Sequence, residues 1–103
     1  MTYHVSLSEA ALLDMRIIKE FLQEQVDQGL APDDLPEQIL SYLSSQILQL
    51  ELFPNRFPIF DCKLNLRRMV IDKYRYSIFY RVEGQTVKIY YIRHQAQKFD
   101  LYI

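Results

Sequence analysis

A strand-rich stretch over residues 67–94 constrains this chain most strongly. Valine, isoleucine, tyrosine and phenylalanine dominate it, and such β-branched and aromatic side chains suit a pleated, half-buried surface. In its middle, apolar and polar positions alternate with a period of two, which is typical of a strand with one buried face. Gly84 can supply the positive φ that a tight hairpin needs. We therefore predict a meander of antiparallel strands with one apolar face and one face rich in arginine, where Ser77 and Phe79 also lie. The expected strands are Arg67–Tyr74, Arg75–Glu83 and Thr86–His94.

The segment before this stretch begins with helical periodicity. Ser8 is a good N-cap, because its hydroxyl can accept a hydrogen bond from a free backbone N–H of the first turn. Gly29 can adopt the left-handed conformation that ends many helices. Between them apolar residues recur at helical spacing, and we expect this stripe to face the core. Its members are Leu12, Leu13, Met15, Ile17, Ile18, Phe21 and Leu22.

A second helix is predicted after a short link. Asp34, with Glu37 three residues on, resembles a capping box, and Pro36 is tolerated in a first turn. The helix should end before Pro54, because proline disfavours helical conformation in the preceding residue. Its apolar face would be formed by Ile39, Tyr42, Leu43, Gln46, Ile47 and Leu50.

Two weaker patterns complete the fold prediction. Residues 3–7 alternate weakly and suggest a first strand, and residues 59–66 suggest another strand. The order strand, helix, helix, then strands is typical of an α+β domain. We predict one domain over residues 1–103, with an N-terminal strand, an antiparallel helical hairpin and a three- to four-stranded antiparallel sheet.

Charge is distributed unevenly along the chain. The net charge of −1 argues against a general nucleic-acid binder. Residues 1–62 carry ten acidic and three basic side chains, whereas residues 63–103 carry nine basic and three acidic ones. This asymmetry predicts either an acidic partner for the basic half or attraction between the two halves within one domain.

Several classes of site are not expected. Cys62 is the one cysteine, so no intrachain disulfide can form, and we expect a buried strand thiol in a reducing cytoplasm. We see no signal peptide and no apolar run long enough to span a bilayer, so no membrane partner is expected. No Cys/His spacing indicates a metal and no glycine-rich loop indicates a phosphate-bearing cofactor. We therefore predict no metal and no cofactor.

Four sequence motifs carry a family resemblance, with Ala10 and Ala11 fitting the same family's first helix. They are Leu50–Pro54, Arg67–Val70, Tyr76–Val82 and Val87–His94. In this order, and over nearly the whole chain, they resemble the RelE/ParE superfamily of type II toxin–antitoxin toxins, and the ParE-like members more closely. The resemblance implies a small cytoplasmic toxin that a neighbouring antitoxin holds inactive. RelE-like relatives cut mRNA in the ribosomal A site, whereas ParE-like relatives inhibit DNA gyrase.

RNA cleavage would need an acid, a base and cations that stabilise the developing charge. The candidates for a nuclease site are Arg68, Arg81, Arg93 and His94. However, Ser77 stands where the resemblance places an arginine in RNA-cutting members, and no arginine follows His94. Gln95 and Gln97 cannot stabilise charge as a guanidinium does. We therefore expect a ParE-like block of gyrase without enzymatic activity. The alternatives are a RelE-like ribosome-dependent mRNA endonuclease and a non-toxic binding module.

Basic side chains of the strand region are the candidates for binding the antitoxin or the target, which is gyrase or the ribosome with its mRNA. They are Arg67, Arg68, Lys73, Arg75, Arg81 and Arg93. The antitoxin would then lie on the basic sheet and the groove of the helix pair. The alternatives are a soluble sheet edge for the cations, a salt bridge for Arg81, and a structural hydrogen bond for His94. We expect alanine at Arg67, Arg68 and Arg81 to reduce toxicity while leaving the fold intact. The apolar residues 99–103 would pack on the domain or contact the antitoxin.

Overall fold

A computed structural model describes residues 2–95 of the chain, and the predicted tail contact of residues 99–103 lies outside this range. The elements, in chain order, are β1 (His4–Leu7), α1 (Glu9–Asp27), α2 (Leu35–Leu48), β2 (Ile59–Asp61), β3 (Leu66–Ile71), β4 (Tyr76–Glu83) and β5 (Thr86–His94). An N-terminal strand, two helices and a mostly antiparallel sheet confirm the predicted α+β fold. Neither helix of residues 2–95 combines the length and the hydropathy that crossing a membrane requires.

The sheet has five strands in the order β1-β5-β4-β3-β2. The β2–β3, β3–β4 and β4–β5 pairs are antiparallel, as the meander predicted. The first strand, β1, lies at the edge of the sheet opposite β2 and runs parallel to β5. Parallel neighbours need a long crossover, which the two helices and three further strands between them provide. The turn between β4 and β5 contains Gly84 at φ 63°, as the hairpin required.

The first helix begins and ends where its sequence predicts. The Ser8 hydroxyl accepts a hydrogen bond of 3.0 Å from the Ala11 N–H, and Gly29 follows the helix at φ 73°. The side that faces the core is different from the one we expected. Ala11, Ile18 and Leu22 are buried. The residues that formed the centre of the predicted stripe, Leu13, Ile17 and Phe21, are 51 %, 51 % and 57 % exposed.

A polar residue of α1 gives a physical reason why a different side of the helix faces the sheet. Asp14 accepts hydrogen bonds from the backbone N–H of Ile92 and from the Arg93 guanidinium on β5. The small side chain of Ala11 lies on the buried side and is completely inaccessible to solvent. Apolar residues cover so much of the helix surface that periodicity alone did not determine which part of it meets the sheet. The prediction that Leu13, Ile17 and Phe21 face the core is therefore wrong.

The second helix buries the predicted face, with Ile39, Leu43 and Ile47 in the core and Pro36 in its first turn. The predicted capping box is wrong. Asp34 has helical φ and ψ of −91° and −2°, and its side chain bonds no backbone N–H. An N-cap residue is usually extended, and its side chain accepts a hydrogen bond from a backbone N–H two or three residues later. The Asp34 carboxylate instead accepts a hydrogen bond of 2.7 Å from the Gln38 side-chain amide.

The main core lies between the helices and one face of the sheet. From the sheet it includes Met69, Ile71, Tyr76, Ile78, Tyr80, Val87, Ile89 and Ile92. The second face of β4 is buried too, because Ser77 and Phe79 have no exposed surface. The Phe79 ring meets the Phe60 ring edge-on at 4.9 Å between centroids. The second face is therefore not the purely polar surface that the alternation predicted.

The connection from β2 to β3 corrects the expectation for Cys62. The Asp61 carboxylate accepts hydrogen bonds from the backbone N–H groups of Lys63 and Leu64, at 2.9 and 3.1 Å. This contact turns the chain after three residues of β2, so that the expected strand over 59–66 is interrupted. Cys62 consequently lies in an exposed turn and is not a buried strand thiol.

Candidate functional site

The first of the basic candidates, Arg67, lies on the face of the sheet that the helices cover. It pairs across the strands with Tyr80, which belongs to the core. One guanidinium nitrogen, Nη1, donates hydrogen bonds to the carbonyl oxygens of Asn55 and Phe57, at 3.0 and 2.6 Å. Arg67 thus ties the segment that follows α2 to the sheet.

The neighbouring Arg68 lies on the opposite face. Its Nε donates a hydrogen bond of 3.1 Å to the Ser77 hydroxyl. The guanidinium carbon lies 5.6 Å from the centre of the Phe60 ring. Ser77, which stands where the resemblance places an arginine in RNA-cutting members, acts here as the hydrogen-bond acceptor of Arg68. The buried Ser77 hydroxyl therefore has a structural role in this hydrogen bond.

Arg81 shares the face of Arg68 and is held by several groups. Its Nε and Nη2 donate hydrogen bonds to the Leu64 carbonyl at 3.0 and 2.6 Å. The Glu83 carboxylate lies 3.7 Å from Nη1, which is the salt bridge considered for this arginine. The guanidinium also lies 4.9 Å from the centre of the Tyr90 ring, whose hydroxyl donates to Glu83 at 2.9 Å. Burial, followed by this Glu83 contact, raises the pKa of Tyr90.

Arg93 links the sheet to the first helix. Its Nε lies 3.1 Å from Asp14 Oδ2, and the same oxygen accepts from the Ile92 N–H at 2.9 Å. The strand β1 pairs with β5 only as far as Ile89. Asp14 therefore takes the place of a neighbouring strand where β1 has ended. A side chain that satisfies an exposed strand edge in this way fixes the position of α1 on β5.

The turn between β3 and β4 carries the other two candidates, Lys73 and Arg75, and both are exposed. The Lys73 ammonium lies 4.8 Å from the centre of the Tyr42 ring and 5.3 Å from that of Tyr74. Tyr74 and Arg75 have φ of 66° and 63°, in the left-handed region. For residues other than glycine, this conformation costs about 1–2 kcal/mol each. Within residues 2–95 the Arg75 guanidinium has neither a hydrogen bond nor an ion pair.

His94 lies on the helix-covered face, opposite Tyr76, and the two rings meet edge-on at 5.2 Å. Both residues line an open cavity of about 360 Å³, whose other lining residues are Ile17, Ile18 and Phe21 from the first helix. We call this cavity the α1 groove. Ile17 and Phe21 belong to the exposed stripe of the helix, so the stripe and the cavity form one continuous apolar surface.

The nuclease candidates are not brought together. Arg68 and Arg81 lie on one face of the sheet, whereas His94 lies on the other. An acid or base must come within hydrogen-bond reach of the same reacting atoms that the cations stabilise. The thickness of the sheet prevents this arrangement for Arg68 and Arg81, and the Arg93 guanidinium is already paired with Asp14 of α1. In addition, no group of three His, Cys, Asp or Glu side chains within residues 2–95 is placed to hold a metal ion.

The six basic candidates likewise do not share one surface, because Arg67 is on the helix-covered face and the turn cations project from the end of the sheet. A sequence signal for this separation was available. Neighbouring residues in a strand point to opposite faces, so Arg67 and Arg68 cannot lie side by side. The α1 groove was missed because its helix residues, Ile17, Ile18 and Phe21, were expected in the core. The apolar stripe of α1 is wider than one buried face needs, and this width indicates that part of the stripe is exposed.

A second exposed apolar feature surrounds Phe53, which follows α2 and a short 3₁₀ turn. Its φ and ψ of 51° and 52° are left-handed, and its side chain is 73 % exposed. The following Pro54 is buried, and its carbonyl accepts a hydrogen bond from the hydroxyl of Tyr80. The buried Pro54 and the preceding end of α2 fix the chain on either side of Phe53, and Phe53 adopts this strained conformation between them.

One family model matches most of the chain, and two solved structures share its fold. A model of the "ParE toxin of type II toxin-antitoxin system, parDE" matches residues 5–99. The structure is similar to that of a chromosomal ParDE toxin–antitoxin system from P. aeruginosa, with a TM-score of 0.72, 16 % identity, and coverage of 90 % of this chain and 96 % of the other. It is also similar to the toxin–antitoxin complex RelBE2 from Mycobacterium tuberculosis, with a TM-score of 0.66, 19 % identity, and coverage of 91 % and 99 %. At these identities the likeness concerns the fold. No curated protein matches the sequence.

Proposed function

The chain belongs to the ParE toxin family of type II toxin–antitoxin systems, and we propose that it is a toxin that blocks DNA gyrase in the cytoplasm without cleaving RNA. The resemblance of its strand motifs to ParE-like members supports gyrase as the target. A cognate antitoxin keeps this activity in check until it is removed.

One observation carries the proposal that RNA is not cleaved. The sheet separates His94 from Arg68 and Arg81, and Arg81 and Arg93 already bind Leu64 and Asp14. Transfer of a proton and stabilisation of charge must act on the same phosphate during RNA cleavage. A toxin without such a constellation acts by binding, and a block of a protein target such as gyrase needs binding alone.

The α1 groove is the site that we propose for the antitoxin. Both similar structures are described as toxin–antitoxin systems, which supports a protein partner of this kind. Ile17 and Phe21 lie one helical turn apart and are each more than half exposed beside the cavity. An amphipathic helix with apolar residues at i and i+4 has the spacing to enter such a groove. This placement replaces the basic sheet face, where Arg68 and Arg81 already have partners.

The mechanism is tested with purified protein in two parallel assays, namely supercoiling by gyrase and translation by ribosomes with mapping of mRNA ends. The proposal predicts that supercoiling is inhibited and that the mRNA stays intact. Cleaved mRNA with normal supercoiling would show a RelE-like endonuclease. An absence of effect in both assays, together with normal growth on expression, would show a non-toxic binding module.

The antitoxin site is tested by co-purification with the product of the adjacent reading frame. Ile17→Glu places a charge in the groove, so this variant should lose the partner. Leu30→Glu is the matched control, because Leu30 is 69 % exposed in the link between the helices and does not line the groove. Circular dichroism should show that both variants are folded. Equal retention of the partner by both variants would place the antitoxin elsewhere.

A further inference from the structure

We propose that Lys73 and Arg75 form a cationic clamp at one end of the α1 groove, which binds an acidic residue of the antitoxin segment lying in that groove. This inference rests on the proposed function and adds a charged contact to an apolar one. The two residues project from the turn between β3 and β4.

These two cations differ from the other basic candidates in their availability. Arg67, Arg81 and Arg93 are bonded to backbone carbonyls or to Asp14 within the domain. Arg75 is exposed and makes no ion pair among the described residues, and Lys73 contacts the faces of tyrosine rings. A cation without an internal ion pair can form a new one without first breaking an existing one.

Backbone strain singles out Arg75. Both Tyr74 and Arg75 are left-handed, although neither is glycine or asparagine. At Tyr74 the strain is offset by an internal contact, because its ring packs edge-on against Tyr42 at 5.6 Å. The described residues provide no such contact for the Arg75 side chain. Residues in strained backbone conformations are often functional, and we infer that the Arg75 side chain binds a partner.

The location of the turn connects the clamp to the groove. Arg75 directly precedes Tyr76, and its carbonyl accepts a hydrogen bond of 2.7 Å from the N–H of Gln95, which directly follows His94. Tyr76 and His94 both line the groove. The Gln95 side-chain amide also donates to the carbonyls of Ile71 and Tyr76, at 3.3 and 3.4 Å. These hydrogen bonds fix the turn beside the groove before any partner binds, which reduces the entropic cost of binding.

The chemistry of the clamp favours a carboxylate on a protein. A guanidinium binds a carboxylate through two parallel hydrogen bonds, and a nearby ammonium adds a point charge. Nucleic-acid binding would need many cations along a phosphate backbone. Here one turn supplies two cations, in a chain of net charge −1, and Arg75 directly precedes Tyr76 of the apolar groove. An acidic amphipathic helix combines the groups that fit both parts of this surface.

The test measures the affinity of the full chain for the antitoxin encoded beside it, at low and at high salt. Arg75→Asn removes the charge but keeps a residue that tolerates the left-handed conformation. We expect it to bind roughly tenfold or more weakly, and with less dependence on salt, because a charge-assisted contact is lost. Arg75→Lys should bind with intermediate affinity. Lys63→Asn makes the same change of charge in the exposed turn at the other end of β3 and should bind as the wild type does.

Two results would overturn the clamp. They are wild-type affinity in Arg75→Asn, whether or not its toxicity changes, and an equal loss of affinity in Lys63→Asn. Arg75→Gly provides a check on folding, because glycine adopts positive φ freely, and its melting temperature and affinity should match those of Arg75→Asn. Failure of the wild-type chain to bind any antitoxin would instead contradict the proposed function, and the clamp with it.

Discussion

Replacing Asp14 tests how the first helix is held in place on the sheet, and with it the shape of the α1 groove. One carboxylate oxygen of Asp14 accepts hydrogen bonds from the N–H of Ile92 and from Nε of Arg93, at 2.9 and 3.1 Å. The two ionised side chains are 11 % and 25 % exposed, so water screens their attraction only in part. Asp14→Ala removes both acceptor contacts, whereas Asp14→Asn keeps an oxygen for the Ile92 N–H and removes the charge.

The expected losses in the free energy of unfolding can be estimated from these two contacts of Asp14. A backbone N–H that loses its acceptor at a partly buried site costs about 1–3 kcal/mol. Loss of the partly shielded ion pair with Arg93 costs about 1 kcal/mol more. We therefore expect Asp14→Ala to lower the free energy of unfolding by about 2–4 kcal/mol and Asp14→Asn by about 1 kcal/mol. For a domain of this size, about 3 kcal/mol corresponds to a melting temperature lower by roughly 12 °C or more.

Urea unfolding followed by circular dichroism gives these free energies, provided that the slope against urea is unchanged. A double-mutant cycle of Asp14→Asn with Arg93→Gln should give a coupling energy of about 1 kcal/mol for the ion pair. If Asp14→Ala and Asp14→Asn were equally stable, the Ile92 N–H would not depend on this carboxylate. If both matched the wild type, Asp14 would not anchor the helix, and the account of the groove would be wrong.

Three further predictions follow from individual contacts. Arg67→Ala and Arg81→Ala should each lower the free energy of unfolding by about 1–3 kcal/mol in urea titrations, because each arginine donates two hydrogen bonds to backbone carbonyls. Each variant should still fold, because this loss is smaller than the usual stability of a domain; wild-type stability of both variants would show that these hydrogen bonds do not stabilise the fold. Burial raises the pKa of Tyr80 from 10.0 to about 12, so the unfolded chain loses this proton first as the pH rises. The resulting stability of about 2–3 kcal/mol should be present below pH 10 and be lost between pH 10 and 12, and Tyr80→Phe should lack this part of the pH dependence. Phe53→Asn should raise the melting temperature by a few degrees, because asparagine tolerates the left-handed φ of 51° and an exposed ring is removed; a lower melting temperature would show that the ring stabilises the fold.

Local signals in the sequence predicted the elements of the fold well. Ser8 and Gly29 marked the two ends of the first helix, and Gly84 marked the last hairpin. Each works through a contact or a backbone angle within a few residues, so a single sequence is sufficient to identify it. The parallel pairing of the first strand with β5 had no such local signal. It joins residues more than eighty positions apart, and strand order depends on the whole chain.

The candidate site was harder to predict for two physical reasons. Residue type reveals the charge of Arg68 and Arg81 but not their internal partners, which come from other segments of the chain. The rotation of the first helix depends on Asp14, whose role is defined by a strand edge that the sequence does not show. In contrast, the separation of Arg67 from Arg68 follows from strand geometry alone and was predictable. The strain at Arg75 is visible only in the backbone angles.

We expect this member of the ParE family to arrest growth without acid–base cleavage of RNA. This expectation is tested by growth after induced expression of the wild type and of His94→Phe in cells that lack the antitoxin. Phenylalanine keeps a ring against Tyr76 but cannot transfer a proton. The two proteins should arrest growth equally. Arrest by the wild type alone, with the variant folded and equally abundant, would contradict this expectation.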